Sequence, residues 1–161
     1  MKDIYQALDE LNIKFEKVEH PAVFTCAEAE HYDRGIDAGK CKNLFLRNKR
    51  GDKNYLVILP AEKRLDLKSL AEKLSEEKLS FASAEKLEKY LGLTAGSVSP
   101  FGLINDVNKE VIVVIDNDLS EYSKLGLHPN VNTATLIISY EFFIKFLDWT
   151  GNKTVFINLN S

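Results

Sequence analysis

The chain has 161 residues, 45% hydrophobic and 28% charged, which is ordinary for a globular protein and long enough to bury a core without covalent staples. One domain over residues 1–161 is expected from that length, and the net charge of −3 speaks against broad, non-specific binding of nucleic acid, so DNA is not an expected partner. Two cysteines (Cys26 and Cys41), no CxxC or HExxH, and three histidines (His20, His31, His128) without ligand spacing exclude a disulfide framework and leave no expected metal site.

In chain order, "KDIYQALDELNI" carries Ile4, Ala7, Leu8 and Leu11 on one helical face. The same N-terminus has acids where a signal peptide would have its apolar run, so a cytoplasmic protein is expected. "KFEKVEH" alternates and predicts a short strand. In "TCAEAE" the Thr25 hydroxyl is placed to bond the amide of Glu28, with Glu28 reaching back, so a short helix is expected there. "KNLFLRNKRGDKNYLVILP" predicts a hairpin with strands over 43–47 and 54–59 and a polar turn holding Gly51. "DLKSLAEKL" and "SAEKLEKYLG" read as amphipathic helices capped by Asp66 and Ser83, with Gly92 ending the second. "SFAS" between them is a candidate short strand. "EVIVVID" is continuously apolar and β-branched, hence a strand buried on both faces. It is far short of the roughly 20 residues that a membrane helix needs, and no other run comes close, so no membrane is expected. "NTATLIIS" is a strand, "SYEFFIKFLDWTG" a helix from Ser139 to Gly151, and "KTVFINL" a closing strand. Strands and helices mix without a βαβ rhythm, which predicts an α+β fold with a mixed, largely antiparallel sheet and surrounding helices. "GIDAG" lacks the spacing of a dinucleotide fingerprint, and no Walker sequence is present.

Four segments taken together carry a more specific signal. "EHPAVFT" (Glu19–Thr25), "KNLFLRNKRGDKNYLVIL" (Lys42–Leu59), "SFASAEKLEKYLGLTAGSVSPFGL" (Ser80–Leu103) and "LHPNVNTATLIIS" (Leu127–Ser139) occur in this order. In order and spacing they resemble the free-standing prolyl-tRNA editing proteins of the YbaK/ProX superfamily, aminoacyl-tRNA deacylases. The resemblance covers nearly the whole chain and is strongest to the ProX branch, which removes alanine mischarged onto proline tRNA. The neighbouring YbaK branch removes cysteine from that tRNA.

The resemblance implies a trans-editing hydrolase with no metal and no organic cofactor. Its substrate would be the aminoacylated acceptor end of tRNA(Pro), and prolyl-tRNA synthetase would be a partner. It places catalytic roles on Lys42, Gly96 and His128, and substrate-binding roles on Asn43, Ser97, Pro100, His20, Thr25 and Asn130. Lys42 would pack its stem at the mouth of the "NLFL" strand and hold its ammonium at a pocket rim. There it would pair with the terminal phosphate or ribose. Without the resemblance Lys42 reads as an edge-strand lysine, and Asn43 as a strand-entry residue. Gly96–Pro100 matches the family's G-x-x-x-P loop: a Cβ at Gly96 would block close approach of the main chain to a small substrate, and Pro100 stiffens the bend. Preorganised main-chain dipoles suit a developing oxyanion. Neither Ser97 nor Ser99 lies in a G-x-S-x-G elbow, so neither reads as a nucleophile. Pro129 holds His128 extended, which could aim its ring into the pocket. His20 and Thr25 have structural alternatives as a strand-end residue and a helix cap.

A different reading starts from charge. Residues 33–53 carry Arg34, Lys40, Lys42, Arg47, Lys49, Arg50 and Lys53 against three aspartates. A non-enzymatic module binding a tRNA or other nucleic-acid end through that cluster is the alternative. Cys26, Asp116 and Asp118 read as structural: no partner histidine serves the thiol, and "DND" suits a turn.

Overall fold

The computed structural model describes residues 3–19, 39–129 and 133–159. Helix α1 spans Ile4–Glu10 and begins where the Asp3 carboxylate accepts the Tyr5 amide; it buries Ile4, Ala7 and Leu8. Strand β1 follows at Glu16–Glu19. The predicted hairpin is strands β2 (Gly39–Asn48) and β3 (Asn54–Pro60), in antiparallel register from Cys41↔Pro60 to Arg47↔Asn54. Its turn is organised by Asn48, whose Oδ1 accepts the amides of Asp52 and Lys53 at 3.1 Å each while Nδ2 donates to the Asp52 carboxylate at 2.6 Å.

Helix α2 (Leu67–Lys73) starts at Asp66, which accepts from the amides of Lys68 and Ser69. Strand β4 (Leu79–Phe81) adds to β2 opposite Leu46–Asn48. Helix α3 (Ala84–Leu91) is capped by Ser83 and ended by Gly92 at φ 66°. Two short 3-10 turns follow, Ala95–Ser97 and Pro100–Asn105, and lead into strand β5 (Val111–Asp116). A third 3-10 turn, Asn117–Glu121, precedes strand β6 (Lys124–Leu127), which sequence periodicity did not predict. Strand β7 (Ala134–Ser139) runs directly into helix α4 (Tyr140–Thr150), capped by the Ser139 hydroxyl and closed by Gly151 at φ 78°. Strand β8 (Thr154–Ile157) completes the described elements. The helix expected after Thr25 lies outside the described residues.

The sheet order is β1-β7-β6-β2-β3-β5-β8, with β4 attached to β2. Pairs β1–β7, β6–β7, β2–β3 and β2–β4 are antiparallel; β2–β6, β3–β5 and β5–β8 are parallel. The mixed α+β sheet expected from the sequence is therefore what the chain forms. One join stands apart. Strands β2 and β6 share only two residue pairs, Gly39↔Leu125 and Lys40↔Gly126, so a short parallel seam links the β1-β7-β6 portion to the β2-β3-β5-β8 portion.

The two faces of the sheet are filled differently. On the first, residues from both portions (Phe45, Leu56, Ile58, Val113, Ile115 and Leu125, Leu127, Leu136, Ile138) pack with α1, α3, α4, Phe101 and Leu103. On the second, the apolar cluster draws on β2, β3 and β5 through Leu46, Tyr55, Val57, Leu59 and Val114, covered by Leu70 and Ala71 of α2. β5 feeds both clusters, Val113 to one and Val114 to the other, as expected of a strand buried on both faces. The second cluster takes no residue from β6 or β7. Among the described residues, no helix is long and apolar enough to cross a membrane.

Candidate active site

Strand alternation decides which side chains meet at the seam. Paired residues in a ladder point to the same face, and successive residues alternate. Gly39, Cys41, Asn43 and Phe45 therefore share the first face; Cys41 and Phe45 pack with its core. Lys40, Lys42 and Leu44 share the second, where Leu44 packs with the smaller cluster and Lys42 stands opposite Leu59. Across the seam, the Lys40↔Gly126 pair puts Gly126 on that second face. His128, two residues on, falls on the same face. Carried two steps past its last pair, the same offset brings Lys42 level with His128. The second face at the seam is thus polar, formed by Lys40, Lys42, Gly126 and His128 where the apolar cluster has ended.

Lys42 is half-buried. Among the described residues its ammonium has no carboxylate within ion-pair range. On the opposite face, the Asn43 Oδ1 is buried without a hydrogen bond. Leaving such an atom unpaired costs about 1–3 kcal/mol, and functional sites are where that cost is tolerated.

The G-x-x-x-P loop and the His-Pro segment are tied directly. The Ser99 hydroxyl donates to the His128 carbonyl and accepts from the Phe101 amide at 3.2 Å. Ser99 therefore caps the Pro100–Asn105 turn and fastens it to the end of β6. Pro100 heads that turn, is buried, and needs no amide partner there. Ser97 is buried at the end of the first turn, which contains Gly96. The His128 ring is held as well: Nδ1 lies 3.0 Å from the Ala134 carbonyl of β7. A carbonyl only accepts, so Nδ1 carries a proton in this contact.

The sequence placed Lys42, Gly96 and His128 in one site. Lys42 and His128 share a face and a level, and the loop holding Gly96 is bonded to the main chain of His128. Asn43 emerges from the other side of the same strand. His20, Thr25, Asn130 and Cys26 lie outside the described residues. Sequence reasoning missed Ser99 as the tether between loop and strand. Its only signal was a serine before Pro100, an ordinary 3-10 or helix start.

Neighbouring groups are less suited to chemistry. Burial pushes the Cys41 thiol up to about 12, with the Glu62 carboxylate adding to the effect; such a thiol is a poor nucleophile. Asp116 and Asp118 are engaged by the Lys63 ammonium, each at 2.6 Å. No group of three or more His, Cys, Asp or Glu residues that could hold a metal occurs among the described residues. The hairpin end of the basic cluster is engaged away from the seam. Lys49 pairs with Glu77 at 3.0 Å, Arg47 donates to the Asn48 carbonyl, and Lys86 closes on the Gly51 carbonyl. At ~3.3 Å per residue, the hairpin tip stands roughly 20 Å along β2 from Lys42.

Known proteins share this architecture and sequence. The sequence pattern described as "Aminoacyl-tRNA editing domain" matches residues 20–146. The "Prolyl-tRNA editing protein ProX" of Acetoanaerobium sticklandii is 45% identical over 152 residues, covering 94% of this chain and 93% of the relative. The mouse (Mus musculus) "Prolyl-tRNA synthetase associated domain-containing protein 1" is 30% identical over 162 residues, covering 98% of this chain and 95% of its own length. Among solved structures, a candidate trans-editing enzyme for prolyl tRNA synthetase superposes with a TM-score of 0.72 at 23% identity, covering 98% of this chain and 94% of that one.

Proposed function

Because the chain belongs to the aminoacyl-tRNA editing domain family, we propose that it is a free-standing aminoacyl-tRNA deacylase that hydrolyses mischarged tRNA(Pro), with alanine as the acyl group removed. The observation that carries this reading is the polar stretch at the β2–β6 seam, where Lys42 and His128 share one face and one level.

An aminoacyl ester on a terminal ribose is already activated, so positioning supplies much of what catalysis needs. Lys42, with no carboxylate in ion-pair range among the described residues, is suited to the phosphate or ribose of the terminal nucleotide. The main chain of Gly96–Pro100, held to β6 through Ser99, is suited to the acyl carbonyl and to the charge that develops on its oxygen. Asn43, on the other side of β2, would support the strand that carries Lys42 rather than touch the substrate. His128, its ring held through Nδ1 by the Ala134 carbonyl, would line the site. In the reaction, water adds to the ester carbonyl, the acyl–oxygen bond breaks, and the ribose oxygen leaves with a proton, giving free amino acid and tRNA. Selectivity would follow size, with an alanyl group admitted and a bulkier prolyl ring excluded. Exclusion by clash can exceed the roughly 1–3 kcal/mol that added methylenes usually change in a pocket. Prolyl-tRNA synthetase, which would make the wrong ester, is the partner this reading implies.

The test is direct. Purified protein should release alanine from alanyl-tRNA(Pro) and spare prolyl-tRNA(Pro). Faster release from cysteinyl-tRNA(Pro) would move the substrate to cysteine, and no release of any amino acid above buffer would end the proposal. Lys42→Ala should abolish the activity while the melting temperature holds, since the ammonium makes no ion pair among the described residues.

A further inference from the structure

The second sheet face continues past the site. Lys124 pairs with Ser139, and Ile137 pairs with both Gly126 and Glu16, so all of these point to the face that carries Lys42 and His128. At the far end of that face lies a groove of about 240 Å³, lined by Lys14, Phe15, Glu16, Lys124, Ile137 and Phe142 among others. Four residue steps separate Lys124 from His128, about 13 Å at ~3.3 Å per residue.

We infer that this groove binds the single-stranded 3′ end of the tRNA substrate, inward of the esterified nucleotide. The inference rests on the deacylase reading for the identity of its ligand. Three features argue for RNA. The ammoniums of Lys14 and Lys124 have no carboxylate within ion-pair range among the described residues, and they outnumber the one acid in the lining, Glu16. Phe15 is 36% exposed and its ring lies against Tyr5 of α1, with ring centroids 5.8 Å apart. Backbone-tracking cations beside an exposed aromatic ring are the usual platform for single-stranded nucleic acid. The spacing also fits: at about 3.4 Å per stacked nucleotide, 13 Å is reached within about four nucleotides of the ester.

Fluorescence anisotropy with uncharged tRNA(Pro) tests this without hydrolysis. Lys14→Ala/Lys124→Ala should weaken binding by about tenfold and reduce the salt slope of binding by about 0.7 per lysine removed. Phe15→Ala should weaken binding by about tenfold, and Phe15→Tyr should restore it. In the deacylase assay the same variants should raise KM for alanyl-tRNA(Pro) with kcat held. Wild-type binding and an unchanged salt slope in the lysine variant would overturn the inference, whatever the deacylase assay gives. Loss of hydrolysis in the wild-type protein, with groove-dependent RNA binding intact, would instead sink the deacylase reading alone.

Discussion

Asn43 has a side-chain oxygen that is sealed from solvent and has no hydrogen-bond partner among the described residues. A group kept in that condition costs stability, so its removal should cost little. We expect Asn43→Ala to melt within a few degrees of the parent chain, since about 1 kcal/mol moves a domain of this size by about 2–4 °C. Its rate on alanyl-tRNA(Pro) should stay within about threefold of the parent's, less than the roughly 1.4 kcal/mol of a lost transition-state hydrogen bond, because the side chain leaves β2 on the face away from Lys42 and His128. A loss of about tenfold in that variant would put Asn43 in contact with substrate. At this scale the sequence was partly legible. Lys42, Asn43, Gly96 and His128 stood in recognisable motifs. The work of Ser99 did not, because the carbonyl it serves belongs to a residue 29 positions away. Nor did the ring bond of His128, because Ala134 reaches it only once β6 and β7 pair.

The Pro100–Asn105 turn lies against the end of α3, and Gly102 is why it can lie so close. A Cβ there would stand 2.7 Å from Leu93 Cδ1, 3.0 Å from the Leu91 carbonyl and 3.1 Å from Leu91 Cβ. One of these contacts is backbone and cannot swing aside. Gly102→Ala should therefore cost about 1–3 kcal/mol, the usual range for overpacking, lowering the melting temperature. It should also lower kcat on alanyl-tRNA(Pro), because the displaced turn drags Ser99 and with it the main chain at His128. A variant as stable and as active as its parent would refute this packing account. Element by element, caps and breakers were the readable part: Asp66, Ser83, Ser139, Gly92 and Gly151 all act where expected. Strand β6 was not readable. Its four residues, Lys-Leu-Gly-Leu, are too short for a period and include a glycine. What makes them a strand is pairing with β7 and the start of β2, which are distant in sequence.

Across the whole molecule, the Lys63 ammonium gathers distant pieces of chain. It reaches Asp116 at the end of β5, Asp118 in the following turn, and the Leu159 carbonyl at 2.7 Å. The Asp116 side chain is 0% exposed. Burial works to lower the Lys63 pKa, but hydrogen bonds and charge from the two aspartates outweigh it and raise the ammonium above its ordinary 10.5. A raised basic group contributes stability that is whole below its unfolded pKa and fades as pH climbs through the folded one. Denaturant titrations should therefore show a loss of stability above about pH 10.5 that Lys63→Met lacks. At neutral pH the variant should be weaker toward the lower end of the ~3–5 kcal/mol typical of stripping a buried ion of its partner. A neutral-pH stability equal to the parent's would overturn the account. Distribution of load has a further consequence at the two-pair join between β2 and β6. Lys42 belongs to one side of that join and His128 to the other, while the shared apolar packing grips both sides from a single face. Warming should therefore loosen the gap between ammonium and imidazole before any helix melts, and turnover should fade at a temperature where the circular dichroism of the chain is still that of the intact fold.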